Sequence, residues 1–286
     1  MSVVRAVVLG VVQGLTEFLP ISSSAHLRIV PALLGWEDPG AAFTAVTQLG
    51  TMAAVLLYFR ADLWRIAVTW LRSLRDPSLR GEIDARMGWY LVLGTVPISV
   101  FGLIFKSQIE TGARDLRIIG TTLIALGLVL LMAERVGRRA RWLDELGPRD
   151  ALAIGGAQAL ALVPGVSRSG ATISAGLFRG LTREAAARFS FLLSVPAVVL
   201  SGVFELGEVG AGGEYGWTAT VVATVLAFGV GYASIAWLLR WLVRHSTAVF
   251  VGYRLVLGVT VLTLVATGTL AANDPVAGDY LTTLGP

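Results

Sequence analysis

Two short polar stretches interrupt an otherwise apolar chain, and both carry groups suited to phosphate. One is Pro164-Gly165-Val166-Ser167-Arg168-Ser169-Gly170-Ala171-Thr172, set between the apolar runs 151–163 and 171–178. The arginine fork matches phosphate oxygens. A helix restarting after Pro-Gly presents free backbone N–H groups and the positive end of its dipole. The other stretch is Glu17-Phe18-Leu19-Pro20-Ile21-Ser22-Ser23-Ser24-Ala25-His26, with Gln13 one turn earlier on the face of Glu17. Brought together, these residues are a parts list for phosphoryl transfer. Arg168 and the helix N-termini would stabilise charge on the phosphoryl oxygens. Glu17 could hold a divalent cation bridging a diphosphate. His26 could serve as general acid or base near neutral pH, and a serine could be the nucleophile if His26 reaches it.

Each residue also has a plainer role. Pro164-Gly165 could be a kink with its serines bonded to nearby carbonyls. Glu17 could cap a helix or lie in the interface, and His26 could be a satisfied buried histidine. Hydroxyls commonly join membrane helices. Gln13 and the Gln48-Leu49-Gly50 segment could be packing groups. Arg254 reads as snorkelling to the cytoplasmic edge or as a structural pair in preference to reaching the site. What favours chemistry is that an arginine placed within a membrane is rarely idle.

These stretches need elements that hold them at depth. The chain of 286 residues is 55% hydrophobic and 15% charged, with a mean hydropathy of +0.73. Soluble domains carry about 25% charge, so this composition specifies a polytopic membrane protein. Without cysteine, disulfides and thiolate chemistry are excluded, and with only His26 and His245 so is a histidine-rich metal site. The N-terminus lacks a small-residue cleavage site and does not read as a signal peptide. The net charge of +4 comes almost entirely from arginine in loops, in a membrane protein an orientation signal before it is a nucleic-acid signal.

The fold class expected is an all-α polytopic membrane protein with about six full transmembrane helices and two re-entrant helical hairpins. Six charge-free runs can span: 41–59, 87–105, 118–133, 189–204, 217–239 and 255–272. The arms around each polar stretch are too short to cross a bilayer, which needs about 20 apolar residues. Each pair of arms therefore enters, breaks and turns back, and irregular backbone at that depth requires protein or a wet cavity around it. Arginine in loops 60–86, 134–150 and 240–246 places them in the cytoplasm, while loop 205–216 and both termini face outward. The hairpins then enter from opposite sides, giving an inverted-topology repeat within one domain, 1–286, with halves roughly 1–133 and 150–272. In such folds the broken elements meet near the bilayer midplane.

The segments Gln13-Gly-Leu-Thr-Glu17-Phe-Leu-Pro-Ile-Ser-Ser23-Ser-Ala-His26 and Pro164-Gly-Val-Ser-Arg168-Ser-Gly-Ala-Thr172 resemble the two signatures of the bacterial undecaprenyl-diphosphatase family of the bacitracin-resistance type. The resemblance extends over essentially the whole chain, including Gln48-Leu49-Gly50 and Tyr253-Arg254. It implies hydrolysis of undecaprenyl diphosphate to undecaprenyl phosphate and inorganic phosphate, recycling the lipid carrier for peptidoglycan synthesis and conferring bacitracin resistance. It implies Glu17, His26, Arg168 and Ser23 as catalytic, and Gln13, Ser22, Ser24, Ser167, Ser169 and Thr172 as substrate-binding. Glu17 would be the metal ligand for a divalent cation, Mg2+ or Ca2+. Gln13 replaces the first acidic residue of the signature, a variation the family pattern allows, and leaves Glu17 as its principal carboxylate. The partners implied are the polyprenyl diphosphate and membrane lipids, with no nucleic acid and a homo-oligomer possible. The location implied is the bacterial inner (plasma) membrane, multi-pass, with the site opening to the outer (periplasmic) side.

Overall fold

In lipid a chain must satisfy its backbone polar groups within its own segments, and each charge-free run here is built on a helix, although the last, 255–272, outruns its helix, which ends at Ala266. The structure is a computed structural model that describes residues 1–105, 115–206 and 217–273. In chain order the helices are α1 (Val3–Thr16), α2 (Ser23–Leu33), α3 (Gly40–Tyr58), α4 (Arg60–Ser73), α5 (Ile83–Ile104), α6 (Leu116–Val136), α7 (Pro148–Ala159), α8 (Arg168–Phe178), α9 (Arg183–Leu206), α10 (Trp217–Arg244) and α11 (Ala248–Ala266). Four of them, α5, α6, α10 and α11, are long and apolar enough to cross a membrane; α1 and the Phe43–Tyr58 part of α3 are apolar but shorter. Pro97 and Pro196 lie inside α5 and α9. The spanning helices turn large apolar side chains outward, among them Val96 and Leu103 on α5 and Val256 and Val259 on α11. A multi-pass membrane protein presents such a surface to lipid.

The segment 60–86, expected as a loop, contains α4 and a short 3-10 turn at Pro77–Gly81. Its arginines lie among apolar residues at helical spacing, and α4 buries Ile66 and packs on α5. Charge counting reads such a segment as connection because it registers arginine before periodicity. Some arginines of the basic segments also do more than orient. Buried Glu134 accepts hydrogen bonds from Arg139, Arg183 and Thr247, joining the ends of α6, α9 and α11. Buried Asp150 accepts from Arg141 and Arg179 at 2.7 and 2.6 Å, tying α7 to α8. A carboxylate removed from water requires such partners. The outward position expected for 205–216 and for the C-terminal tail falls mostly on residues 207–216 and 274–286, outside the described residues.

Both broken elements exist. The chain runs from α1 through an irregular turn into α2, and from α7 through a 3-10 turn at Leu160–Leu162 into α8. The arms that precede the breaks pack in equivalent ways. α1 lies against α10, where a Cβ on Gly10 would fall 2.5 Å from the Ala223 carbonyl oxygen. α7 lies against α5, where a Cβ on Gly155 would fall 2.2 Å from the Gly94 carbonyl oxygen. Gly10 and Gly155 stand at the same distance before Gln13 and Gln158.

Candidate active site

A serine with positive φ sits at each break. Ser22 has φ 75° and Ser167 φ 69°, values that L residues rarely adopt and that cost about 1–3 kcal/mol. Each serine is the N-cap of the helix it opens. Ala25 N–H donates to Ser22 Oγ at 3.4 Å, and Gly170 N–H donates to Ser167 Oγ at 3.1 Å. Each hydroxyl also lies 3.2 Å from the hydroxyl two residues on, Ser24 in the first case and Ser169 in the second. Two helix N-termini thus form with the same local geometry, and each favours an anion.

The charged residues join the breaks. Arg168, at the start of α8, donates to Glu17 Oε1 at 2.6 Å, and both side chains are largely withdrawn from solvent. Ser23 Oγ donates to Glu17 Oε2 at 2.7 Å, and Gln13 Nε2 donates to the same oxygen at 3.1 Å. Ser169 Oγ donates to the Leu19 carbonyl at 2.9 Å, a second link between the stretches. A narrow cleft of about 10 Å³, room for little more than one water molecule, lies beside this pair, lined by Glu17, Phe18, Gln48, Thr51, Met52, Arg168 and Ser194 among others. A phosphate group fits there only if the walls of the cleft move apart.

Not every expected group points at that pair. Thr172 is fully buried, and its hydroxyl is shared with Ser190 at 2.6 Å and with the Arg168 carbonyl at 2.8 Å, so it fastens α8 to α9. Ser24 is exposed and Ser23 partly so, while Ser22, Ser167 and Ser169 are buried. His26 is buried, but its ring nitrogens meet the Ser22 carbonyl and Tyr253, and the hydroxyl partner of Glu17 is Ser23. Among the described residues no group of three His, Asp or Glu side chains could hold a metal ion. A cation at Glu17 would therefore take one carboxylate from the protein and complete its shell with neutral oxygens and phosphate, the arrangement magnesium commonly accepts. Gln13 Oε1, buried and without a partner, is a neutral oxygen next to that carboxylate. The donor set fits a cation brought with a diphosphate.

Arg254 does not snorkel. It is fully buried and donates to the carbonyls of Pro20, Thr122, Leu123, Gly165 and Val166, so one side chain from α11 grips both breaks and α6. A helix-spacing argument could not find this, because three of the five partners, the carbonyls of Pro20, Gly165 and Val166, are backbone atoms of the irregular turns. Tyr253 was visible in the sequence only as the neighbour of Arg254, and Thr51 and Ser194 gave no signal among many apolar-helix hydroxyls.

Fold and site together define a helical multi-pass membrane protein with two capped helix breaks joined by a buried arginine–carboxylate pair. The family description "Bacitracin resistance protein BacA" matches residues 6–260, and the chain belongs to that family. It is similar to the undecaprenyl-diphosphatase of Nocardioides sp. (strain ATCC BAA-499 / JS614), at 58% identity over 94% of this chain and 98% of that protein. It is likewise similar to the undecaprenyl-diphosphatases of Thermobifida fusca (strain YX), 55% identical over 96% and 94% of the two chains, and of Mycolicibacterium smegmatis (strain ATCC 700084 / mc(2)155), 55% identical over 96% and 100%.

Proposed function

We infer that this chain is an undecaprenyl-diphosphatase, releasing inorganic phosphate from undecaprenyl diphosphate and returning the monophosphate carrier to peptidoglycan synthesis, with bacitracin resistance as the consequence. Relatives of that name, more than half identical over nearly the whole chain, support the activity. The observation that carries the reading to atoms is the shared carboxylate: Glu17 contacts Ser23 through one oxygen and Arg168 through the other. In the proposed reaction the diphosphate competes for Arg168, freeing Glu17 Oε1, and the two helix N-termini face the phosphoryl oxygens. Ser23 Oγ attacks the terminal phosphorus and gives its proton to Glu17. The bridging P–O bond breaks, and undecaprenyl phosphate leaves with the electron pair. Glu17 passes that proton to the departing undecaprenyl phosphate and is a carboxylate again. Water then cleaves the Ser23 phosphoester, with Glu17 taking the water proton and returning it to Ser23 Oγ as phosphate departs. His26 serves the proton balance of the leaving group and product. Glu17 and Gln13 Oε1 would hold Mg2+ or Ca2+; bound there, the ion would neutralise diphosphate charge.

The finer architecture belongs to the same proposal. We read the halves, roughly 1–133 and 150–272, as an inverted-topology repeat in the plasma membrane with the site open to the outer side. Matching caps at Ser22 and Ser167 and matching contacts at Gly10 and Gly155 support the repeat. The decisive experiment gives undecaprenyl diphosphate to purified protein in detergent, with and without a chelator. Phosphate release that the chelator abolishes and magnesium restores is expected, together with phosphate trapped on serine in wild type and absent in Ser23→Ala. Wild type that releases no phosphate sinks the activity; Ser23→Ala at full rate sinks the serine nucleophile and leaves water.

A further inference from the structure

One hydrogen-bonded pair beside the breaks has no part in the contacts of Glu17. His26 Nδ1 lies 2.7 Å from the Ser22 carbonyl oxygen, and His26 Nε2 lies 2.6 Å from Tyr253 Oη. A carbonyl oxygen only accepts, so Nδ1 must carry a hydrogen. In the neutral ring Nε2 then holds the lone pair, and the tyrosine hydroxyl is its donor. The two rings are parallel within 8°, with centroids 5.5 Å apart. Exposure divides unequally, 5% for His26 and 45% for Tyr253, so the bond joins a buried imidazole to a half-exposed tyrosine. Tyr253 is itself held in place. The next residue, Arg254, donates to carbonyls of both breaks, which sets the register of α11 against the start of α2.

We propose that Tyr253 is a positioning residue for His26, holding its ring as the Nδ1–H tautomer so that Nε2 is the nitrogen that exchanges a proton during phosphate release. The Ser22 carbonyl selects the tautomer and the Tyr253 hydroxyl fixes the orientation of the ring. Without the hydroxyl the imidazole keeps one anchor, at its own helix N-terminus, and swings about it. The kinetic part of this rests on the phosphatase reading above; the hydrogen-bond part does not.

The chain has two histidines, which makes the test direct. Protein labelled with ring-15N histidine is prepared in detergent, and His245→Gln removes the second set of signals. In wild type, His26 should show a protonated Nδ1 and an unprotonated Nε2 that accepts a hydrogen bond. Tyr253→Phe keeps the ring and removes the hydroxyl, so Nε2 should move to the position of an acceptor without a donor. Turnover should fall between about 10- and 100-fold, as for a displaced reacting group, with KM little changed. A double variant, His26→Gln with Tyr253→Phe, should be no slower than His26→Gln alone, because Tyr253 acts through the ring. An Nε2–H tautomer in wild type overturns the proposal. So does Tyr253→Phe with wild-type turnover, or a double variant slowed by the product of the single effects, which is what a staple between α2 and α11 would give. If wild type releases no phosphate, the phosphatase reading fails, and the nitrogen signals still decide whether Tyr253 donates to His26.

Discussion

Ser22 and Ser167, at φ 75° and 69°, each cap a helix of 11 residues, and each follows an arm that carries a glycine and a glutamine at matching positions. The chemistry they present differs. Four residues after Gln13 stands Glu17, whereas four after Gln158 stands Leu162. The residue after the cap is Ser23 in one break and Arg168 in the other, and His26 has Ala171 as its counterpart. The backbone device, a positive-φ serine opening a helix, occurs twice. The carboxylate, hydroxyl and imidazole belong to one break and the guanidinium to the other, so neither half can assemble the Ser23–Glu17–Arg168 chain alone. On the proposed mechanism, side chains divided in this way would make the contact between the two breaks the condition for activity.

The largest test of that division is Glu17→Gln, which keeps the shape and removes the base. Turnover should fall by about 10²–10⁴, while Leu162→Ala at the counterpart position should leave it near wild type. Comparable losses from both would mean that the breaks contribute alike. Next is Arg168→Lys, which keeps the charge and loses the planar fork; steady-state turnover should drop roughly 10-fold or more with an unchanged thermal midpoint. A lysine variant with normal turnover would make the pair with Glu17 structural. Stability probes the scaffold instead. Gly10→Ala and Gly155→Ala each force a methyl onto neighbouring backbone, and thermal unfolding in detergent should report a loss of about 1–3 kcal/mol for each. If one glycine tolerates alanine and the other does not, the packing equivalence is broken. The smallest effect is expected from the caps: Ser22→Ala and Ser167→Ala should each cost about 1 kcal/mol. Unequal costs would show that one cap carries more than its helix.

Much of this arrangement was legible in the residues themselves. The charge-free runs, the arms too short to span and the Pro-Ser interruptions follow from hydropathy and proline chemistry, which act locally, and each of the six runs has a helix for its main part, though 255–272 outruns the helix end at Ala266. The sequence also marked Glu17, Ser23 and Arg168, because polar groups within apolar arms are costly and therefore conspicuous. It misjudged α4, whose arginines hid its helical period, and Arg254, three of whose five carbonyl partners become available only at irregular turns. The pairing of groups was a matter for tertiary structure alone. Which hydroxyl meets Glu17, which group faces His26 and which side chain grips both breaks are contacts between elements far apart in the chain, such as Glu17 with Arg168 or His26 with Tyr253. Periodicity ends at the boundary of a helix. Helix packing, through close approaches such as Gly10 on Ala223 and Gly155 on Gly94, sets the distances beyond it.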